Sequence, residues 1–267
     1  MSQAKVALVT GASSGIGKAI ADRLAADGFR VFGTARKPAR DDVDGIAMLP
    51  LDVTNDRSVA ACVKTVIDRG GQLDVVVNNA GYLLAGAVEE ATIDQAKAQL
   101  ETNFFGVVRM TQAVLPHMRE RKAGHLITIS SLAGLVPVPF WGYYNASKFA
   151  VEGLLETLRH EVRPFGIQVA MVEPGAIKTP FYAQPSATPM PAYARWREPA
   201  LGAMAEFERK APGPDLVATK VSQIARTTKP KLRHRVTREA KMFSFLRWLL
   251  PAGAFEAGVR SGFKIPK

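Results

Sequence analysis

Tyr144 and Lys148 stand four residues apart in the stretch Tyr144-Asn145-Ala146-Ser147-Lys148, a spacing that puts both side chains on one face of a helix, one turn apart. An ammonium beside a phenol favours the phenolate, so a tyrosine with an ordinary pKa near ~10 can exchange a proton closer to neutral pH. Tyr143 misses this register, because its fourth following neighbour is Ser147. The same pairing also occurs on amphipathic helices that do no chemistry. The elements that position the pair must therefore decide.

A second candidate site lies near the start of the chain. The apolar run from Lys5 to Thr10 breaks into Gly11-Ala12-Ser13-Ser14-Gly15-Ile16-Gly17, and a helix-forming segment follows from Lys18 to Ala26. Glycines at a strand-to-helix turn let the backbone approach a pyrophosphate, and the helix supplies unpaired amides and a positive dipole end. The spacing is GxxxGxG, not the commoner GxGxxG. A second strand, Arg30 to Thr34, runs into Ala35-Arg36-Lys37, where such folds usually carry an acid for the adenosine ribose. A guanidinium there binds a 2′-phosphate with paired hydrogen bonds, so Arg36 points to NADP(H) over NAD(H).

Later strands end at Asp52-Val53 and, after Leu73 to Val77, at Asn78-Asn79-Ala80-Gly81. Strands alternating with helices of this length imply right-handed crossovers and a parallel sheet covered on both faces. The expected fold is α/β, a Rossmann-like doubly wound sheet forming a single unit over 1–267. Gly11, Arg36, Asp52 and Asn78 all fall at strand carboxyl ends, where ligands sit in such sheets.

Composition narrows the alternatives. At 267 residues the chain can bury a substantial core. A single cysteine, Cys62, excludes an internal disulfide and a multi-cysteine metal site, and no metal is expected. The run without charged residues, from Ala123 to Ser147, is interrupted by Ser130-Ser131, Gly134, Pro137, Pro139 and Asn145, which argues against a membrane span. With no export signal at the start, a cytoplasmic location is expected. From Arg195 to Lys267, 16 Lys and Arg stand against six Asp and Glu, nearly the whole net charge of +11. A basic surplus can mark an anionic partner or merely a solvated face, and no nucleic-acid motif accompanies it.

Taken together, Thr10-Gly11-Ala12-Ser13-Ser14-Gly15-Ile16-Gly17, Asp52, Asn78-Asn79-Ala80-Gly81, Asn103, Ser131, Tyr144 with Lys148, and Pro174-Gly175 resemble the short-chain dehydrogenase/reductase family over about the first 180 residues. The resemblance implies hydride transfer between a nicotinamide and a carbonyl or alcohol carbon. It makes Tyr144 the proton donor or acceptor, Ser131 the hydrogen-bond donor to the substrate oxygen, Lys148 the cation that lowers the tyrosine pKa and binds the nicotinamide ribose, and Asn103 the holder of a water relay. Gly11, Ser13, Ser14, Gly15, Ile16, Gly17, Arg36, Asp52, Val53, Asn78, Ala80, Gly81, Tyr144, Lys148, Pro174, Gly175, Ile177 and Thr179 become the cofactor contacts. Phe32-Gly33-Thr34-Ala35-Arg36-Lys37-Pro38, Asn103-Phe104-Phe105-Gly106 and Pro164-Phe165-Gly166-Ile167 resemble the branch with 17β-hydroxysteroid, retinol and acyl-dihydroxyacetone-phosphate reductases. A hydrophobic substrate and a homodimer or homotetramer through the two long helices beside the site are implied. A cofactor-sensing regulatory protein on the same fold is the alternative, although such proteins usually lack one of Ser131, Tyr144, Lys148 and Asn103.

The last third reads less regularly. Phe181 to Pro214 resembles a loop that closes over the site, with Tyr182, Tyr193, Trp196 and Phe207, joined by Val136, Val138, Phe140 and Trp141, as cleft candidates. The substrate-loop region is taken as about 177–214 and a basic extension as about 238–267. Within the latter, Met242, Phe245, Leu246 and Leu249 fall on one helical face and Lys241, Ser244 and Arg247 on another. That helix is expected to touch a membrane, act as a lid, or contact a second subunit.

Overall fold

The computed structural model describes residues 4–179 and 183–265. Tyr182, a cleft candidate, lies outside the described residues. The strands β1 (Val6–Val9), β2 (Arg30–Ala35), β3 (Asp42–Val43), β4 (Ile46–Pro50), β5 (Val75–Asn78), β7 (Gly124–Ile129), β8 (Ile167–Glu173) and β10 (Arg233–Arg235) form one sheet in the order β10-β8-β7-β5-β1-β2-β4-β3. Every pairing is parallel except that of the short β3 with β4. Strand order turns back on either side of β1, so the carboxyl ends of β1 and its neighbours open a crevice there.

Side chains alternate across the strands, and each face buries its own core. On one face Val6, Leu8, Phe32, Val76, Leu126, Val169 and Met171 pack against α2 (Asp56–Gly70), α4 (Gly106–Arg121) and α5 (Gly142–Val162). On the other, Ala7, Val9, Val31, Val75, Val77, Ile127 and Ala170 meet α1 (Gly15–Ala26) and α7 (Asp215–Arg226). Cys62 lies in the first of these cores, where burial pushes its thiol up to about 11.

Two regions depart from the sequence reading. The segment from Thr92 to Pro116, whose sequence alone reads as one long helix bearing Asn103, is α3 (Ile93–Leu100) and α4 joined through a π-turn, Glu101–Phe105, that contains Asn103. The segment expected as loop from Phe181 to Pro214 contains a short strand, β9 (Ala183–Pro185), which pairs in parallel with β6 (Leu83–Ala85), and then the helix α6 (Pro191–Arg209). Glu90, fully buried, anchors the start of α6. Its carboxylate pairs with Arg197 and accepts from Met190 N at 2.7 Å and Ala87 N at 2.8 Å. The chain closes with α8 (Arg238–Leu249) and α9 (Ala252–Gly262).

Candidate active site

Thr10, the last residue before the glycine turn, organises the crevice. Its Oγ1 accepts from Asn79 N at 2.9 Å and Ala80 N at 3.0 Å, while Asn79 Nδ2 donates to the carbonyls of Thr10 at 2.9 Å and Gly11 at 3.2 Å. The ends of β1 and β5 are thereby clamped together. Gly17 must be glycine, because an added Cβ would lie 2.1 Å from Gly11 O, and Gly11 itself holds φ +65°. The first turn of α1 carries no acid, and its N-cap Ser14 makes no side-chain capping bond. Its amides therefore suit a phosphate.

A cavity of about 800 Å³ runs from this turn to the C-terminal helices. Of the sequence-derived cofactor residues, Gly11, Ser13, Ser14, Gly15, Ile16, Gly17, Arg36, Asp52, Val53, Ala80, Gly81, Tyr144, Lys148, Pro174, Gly175, Ile177 and Thr179 line it. Asn78 does not. Its side chain is buried in the sheet, with Nδ2 3.5 Å from Thr128 Oγ1, and the next residue, Asn79, takes the cavity position. Successive residues at a strand end face opposite sides. Asp52 is fastened locally, since Thr54 N and Thr54 Oγ1 donate to its carboxylate at 2.9 and 2.7 Å and hold its pKa down.

Ser131, Tyr144, Lys148 and Asn103 all reach the same cavity. Ser131 follows β7 and hydrogen-bonds the Tyr144 phenol. Lys148 Nζ donates to Ile129 O at 2.9 Å and lies 5.7 Å from the Tyr144 ring centroid. Asn103 is held from three sides. Its Nδ2 donates to Tyr82 O at 2.9 Å and to Ser147 Oγ at 3.2 Å, and its Oδ1 accepts from Tyr82 N at 3.1 Å. Ser147 in turn donates to Tyr144 O at 2.7 Å, so one chain of hydrogen bonds runs from the π-turn to α5.

Burial pushes Tyr144 up to about 12, against the hydrogen bond with Ser131 that pulls it down, and burial also draws Lys148 down to about 8. Desolvation disfavours both charged forms. Phenol and amine sites are thus both shifted toward neutrality.

Beyond the phenol the cavity is walled by Val136, Val138 and Trp141, by Met204, Phe207 and Glu208 of α6, by Glu239 and Phe243 of α8, and by Val259 and Phe263 from α9 and its end. Phe140, Tyr193 and Trp196 are not among the lining residues. Phe140 turns the loop at φ +62°, and Tyr193 donates to Glu89 at 2.6 Å. Among the lining residues of α6 and α8, sequence reasoning named Phe207 and passed over Met204, Glu208, Glu239 and Phe243. Ala200, Met204, Phe207 and Glu208 follow a helical i, i+4, i+7, i+8 pattern that would have placed them on one face. Thr237 gave no such signal. Its Oγ1 accepts from both Gly175 N and Ala240 N at 3.1 Å, tying the start of α8 to the turn after β8.

The basic surplus is partly consumed within the fold. Arg233 pairs with Glu152, with Glu156 at 2.7 Å and with Glu173 at 2.7 Å, and Arg235 reaches Glu173 at 3.3 Å. Ala240 and Ser244 are buried, while Met242, Phe245, Trp248 and Leu249 face outward, Trp248 at 79% exposure. Small residues pack closely against neighbouring backbone, which leaves the large apolar ones outside.

A parallel sheet with a glycine-cradled helix start and a cavity holding serine, tyrosine and lysine defines a Rossmann-like dinucleotide-binding oxidoreductase. Residues 5–189 match the family model for short chain dehydrogenase. A 3-ketodihydrosphingosine reductase of Bacteroides thetaiotaomicron is 48% identical over 179 residues, 67% of this chain and 66% of that enzyme. Retinol dehydrogenase 8 of Bos taurus is 34% identical over 273 residues, 94% of this chain and 87% of its own. A short-chain dehydrogenase solved from Streptomyces avermitilis superposes with a TM-score of 0.83 at 37% identity, covering 98% of this chain and 97% of that one. Two further solved chains, each 25% identical, hold NADP (ElxO; TM-score 0.76, 90% of this chain and 99% of that one) and NAD (Burkholderia phymatum; TM-score 0.77, 93% and 95%). This chain belongs to the short-chain dehydrogenase family.

Proposed function

We propose that the protein is an NADP(H)-dependent reductase of hydrophobic ketones or aldehydes, working reversibly on the corresponding alcohols. The observation that carries this reading is the meeting of Ser131, Tyr144 and Lys148 in one cavity that starts at the glycine turn and ends among apolar side chains. NADPH, when bound, supplies the hydride. Ser131 donates a hydrogen bond to the substrate oxygen as negative charge builds there, and Tyr144 delivers its proton to that oxygen. Lys148 holds the nicotinamide ribose and its charge favours the phenolate left behind. Asn103 keeps the relay open through its position on the π-turn. Arg36 receives the 2′-phosphate.

The whole chain works as one unit, with α6, α8 and α9 as the substrate wall. The compounds named for the relatives are 3-ketodihydrosphingosine, retinol and, at 40% identity over 192 residues in the Mus musculus relative, a 17-beta-hydroxysteroid. A hydrophobic substrate fits a cavity walled by Val136, Val138, Trp141, Phe207, Phe243 and Phe263. Assembly as a homodimer or homotetramer through α4 and α5 is supported by the outward Phe105 and Phe149 beside those helices, 44% and 42% exposed. Peripheral membrane contact is supported by the outward apolar residues of α8. Among the described residues no helix is long and apolar enough to cross a membrane.

The test is NADPH oxidation, followed spectrophotometrically, across hydrophobic ketones and aldehydes with NADH as the control. Tyr144→Phe is expected to remove turnover by a factor of about 10² or more while NADPH binding, measured by fluorescence, stays near that of the parent. Near-parent turnover in this variant would refute the assignment.

A further inference from the structure

The basic surplus of the last quarter is only partly neutralised within the fold, and part of the remainder converges on a concave patch outside the catalytic cavity. This patch, about 510 Å³, is lined by Lys220 of α7, by Arg233, His234 and Arg235 of β10 and by Lys241 of α8, along with Leu216. None of its lining residues lines the catalytic cavity, and no acid is among them. Arg233 is fully engaged with Glu152, Glu156 and Glu173. Arg235 commits only its Nε, to Glu173 at 3.3 Å, and its two terminal nitrogens have no partner among the described residues. Lys220 Nζ donates to the neutral amide of Gln223 at 2.6 Å, and neither Lys220 nor Lys241 forms an ion pair among the described residues. Other helical lysines do pair with an acid one turn away, as Lys18 does with Asp22, Lys64 with Asp68 and Lys210 with Glu206. The field is felt by His234, whose pKa is held below its ordinary value by burial first and then by the charges of Lys220 and Lys231, against the hydrogen bond to Lys231 O.

Ammonium and guanidinium groups held together in a concavity repel one another, and an anion that enters relieves the repulsion while taking up their free donors. Arg235 offers a planar fork and the two lysines offer point charges, a mixture that suits the three free oxygens of a phosphate better than the two of a carboxylate. We infer that this patch is a second anion site, one that binds a phosphate monoester through Arg235, Lys220 and Lys241, apart from the cofactor phosphates at the glycine turn and Arg36. Met242 and Phe245, both outward, follow Lys241 by one and four residues on α8. The phosphate therefore has two possible carriers, a soluble monoester or a lipid headgroup whose chains meet that apolar face. Both present the same group to the same three side chains.

The test is independent of the reductase reading, because it uses neither NADPH nor a carbonyl compound. The full-length protein is titrated calorimetrically with glycerol 3-phosphate, and its flotation is followed with phosphatidylcholine vesicles lacking or containing phosphatidic acid, all at one ionic strength. Lys220→Gln combined with Lys241→Gln is compared with Lys64→Gln combined with Lys97→Gln, which removes two exposed charges elsewhere. Melting temperatures check that both variants fold as the parent does, and Lys241→Gln alone, on an exposed position of α8, is the reserve should the first pair not fold. The patch variant should lose binding by about tenfold or more, and the other should stay within about twofold of the parent. Selective loss of the glycerol 3-phosphate signal supports the site with a soluble ligand, and selective loss of the flotation that phosphatidic acid adds supports it with a headgroup. Loss of both supports a site open to either carrier. An equal loss in the two variants would reduce the effect to net charge and overturn the site. Binding of neither probe by the parent, or binding that survives the patch substitutions, would overturn it as well.

Discussion

The two walls of the cavity are built from different materials. The wall at the glycine turn is backbone, with amides at the start of α1, carbonyls locked by Asn79, and glycines where a methyl group would collide with a main-chain oxygen. The opposite wall is side chain, laid on α6, α8 and α9, which hang from a few polar ties at Glu90 and Thr237. A ligand with an invariant phosphate can be met by groups that every residue possesses. A ligand whose identity varies must be met by groups that substitution can change, and the second wall offers only such groups.

Mutations can break this contrast at its seam first. Arg233 bridges β10, β8 and α5, and Arg233→Ala would leave Glu152 buried without its cation and Glu173 with Arg235 alone. A loss of about 3–5 kcal/mol is expected, read by denaturant unfolding. Glu152 is already raised to about 7, chiefly by burial and then by Glu173. A carboxyl whose folded pKa lies above its unfolded value of 4.5 costs stability fully above pH 7 and not at all well below pH 4.5. The deficit of the variant should therefore be widest above pH 7 and narrow as pH falls toward 4.5. An unchanged gap across that range would count against the buried pair as its origin.

Within the backbone wall, Gly17→Ala forces its Cβ against Gly11 O and should cost about 1–3 kcal/mol together with most of the dinucleotide affinity. Thermal unfolding with and without NADPH reads both losses. Arg36→Asp should leave the fold intact, weaken NADPH by about tenfold or more and spare NADH. Loss of both cofactors alike would mean that Arg36 does not receive the 2′-phosphate. On the side-chain wall, Phe245→Glu with Trp248→Glu should shift the melting temperature by less than about 2 °C, because both residues face outward. Flotation with anionic vesicles should nevertheless fall. Equal flotation would remove the membrane contact without touching the site.

The same contrast decided what the sequence could reveal. Gly11 to Gly17 and Tyr144 with Lys148 were legible because their function demands fixed spacing, and the alternation of the strands made the sheet legible with them. Asn78 and Asn79 were confused because a strand's last residue fixes the face only when its exact end is known. Ser244 was grouped by helical spacing with Lys241 and Arg247, which are exposed, yet it packs inward where its hydroxyl bonds its own helix, here Ala240 O at 2.7 Å. Glu208 escaped because one carboxylate on a helix carries no signal until the helix is docked. α9 was not anticipated, since its alanines and glycines suit a helix only when a neighbour such as Arg247, 5.4 Å from the Phe255 ring, holds it.

The π-turn at Glu101–Phe105 also sets a rule about length. An α-helix advances about 100° per residue, and the wide turn absorbs one extra residue between α3 and α4. Gln99, which bonds Leu84 N and Tyr82 O, and Met110, which packs under the sheet, therefore face their partners at once. A chain shortened by a single residue here would keep its composition, its hydropathy and every motif. It would still swing Asn103 a quarter-turn from Ser147, so among homologues this is where a gap would be least forgiven.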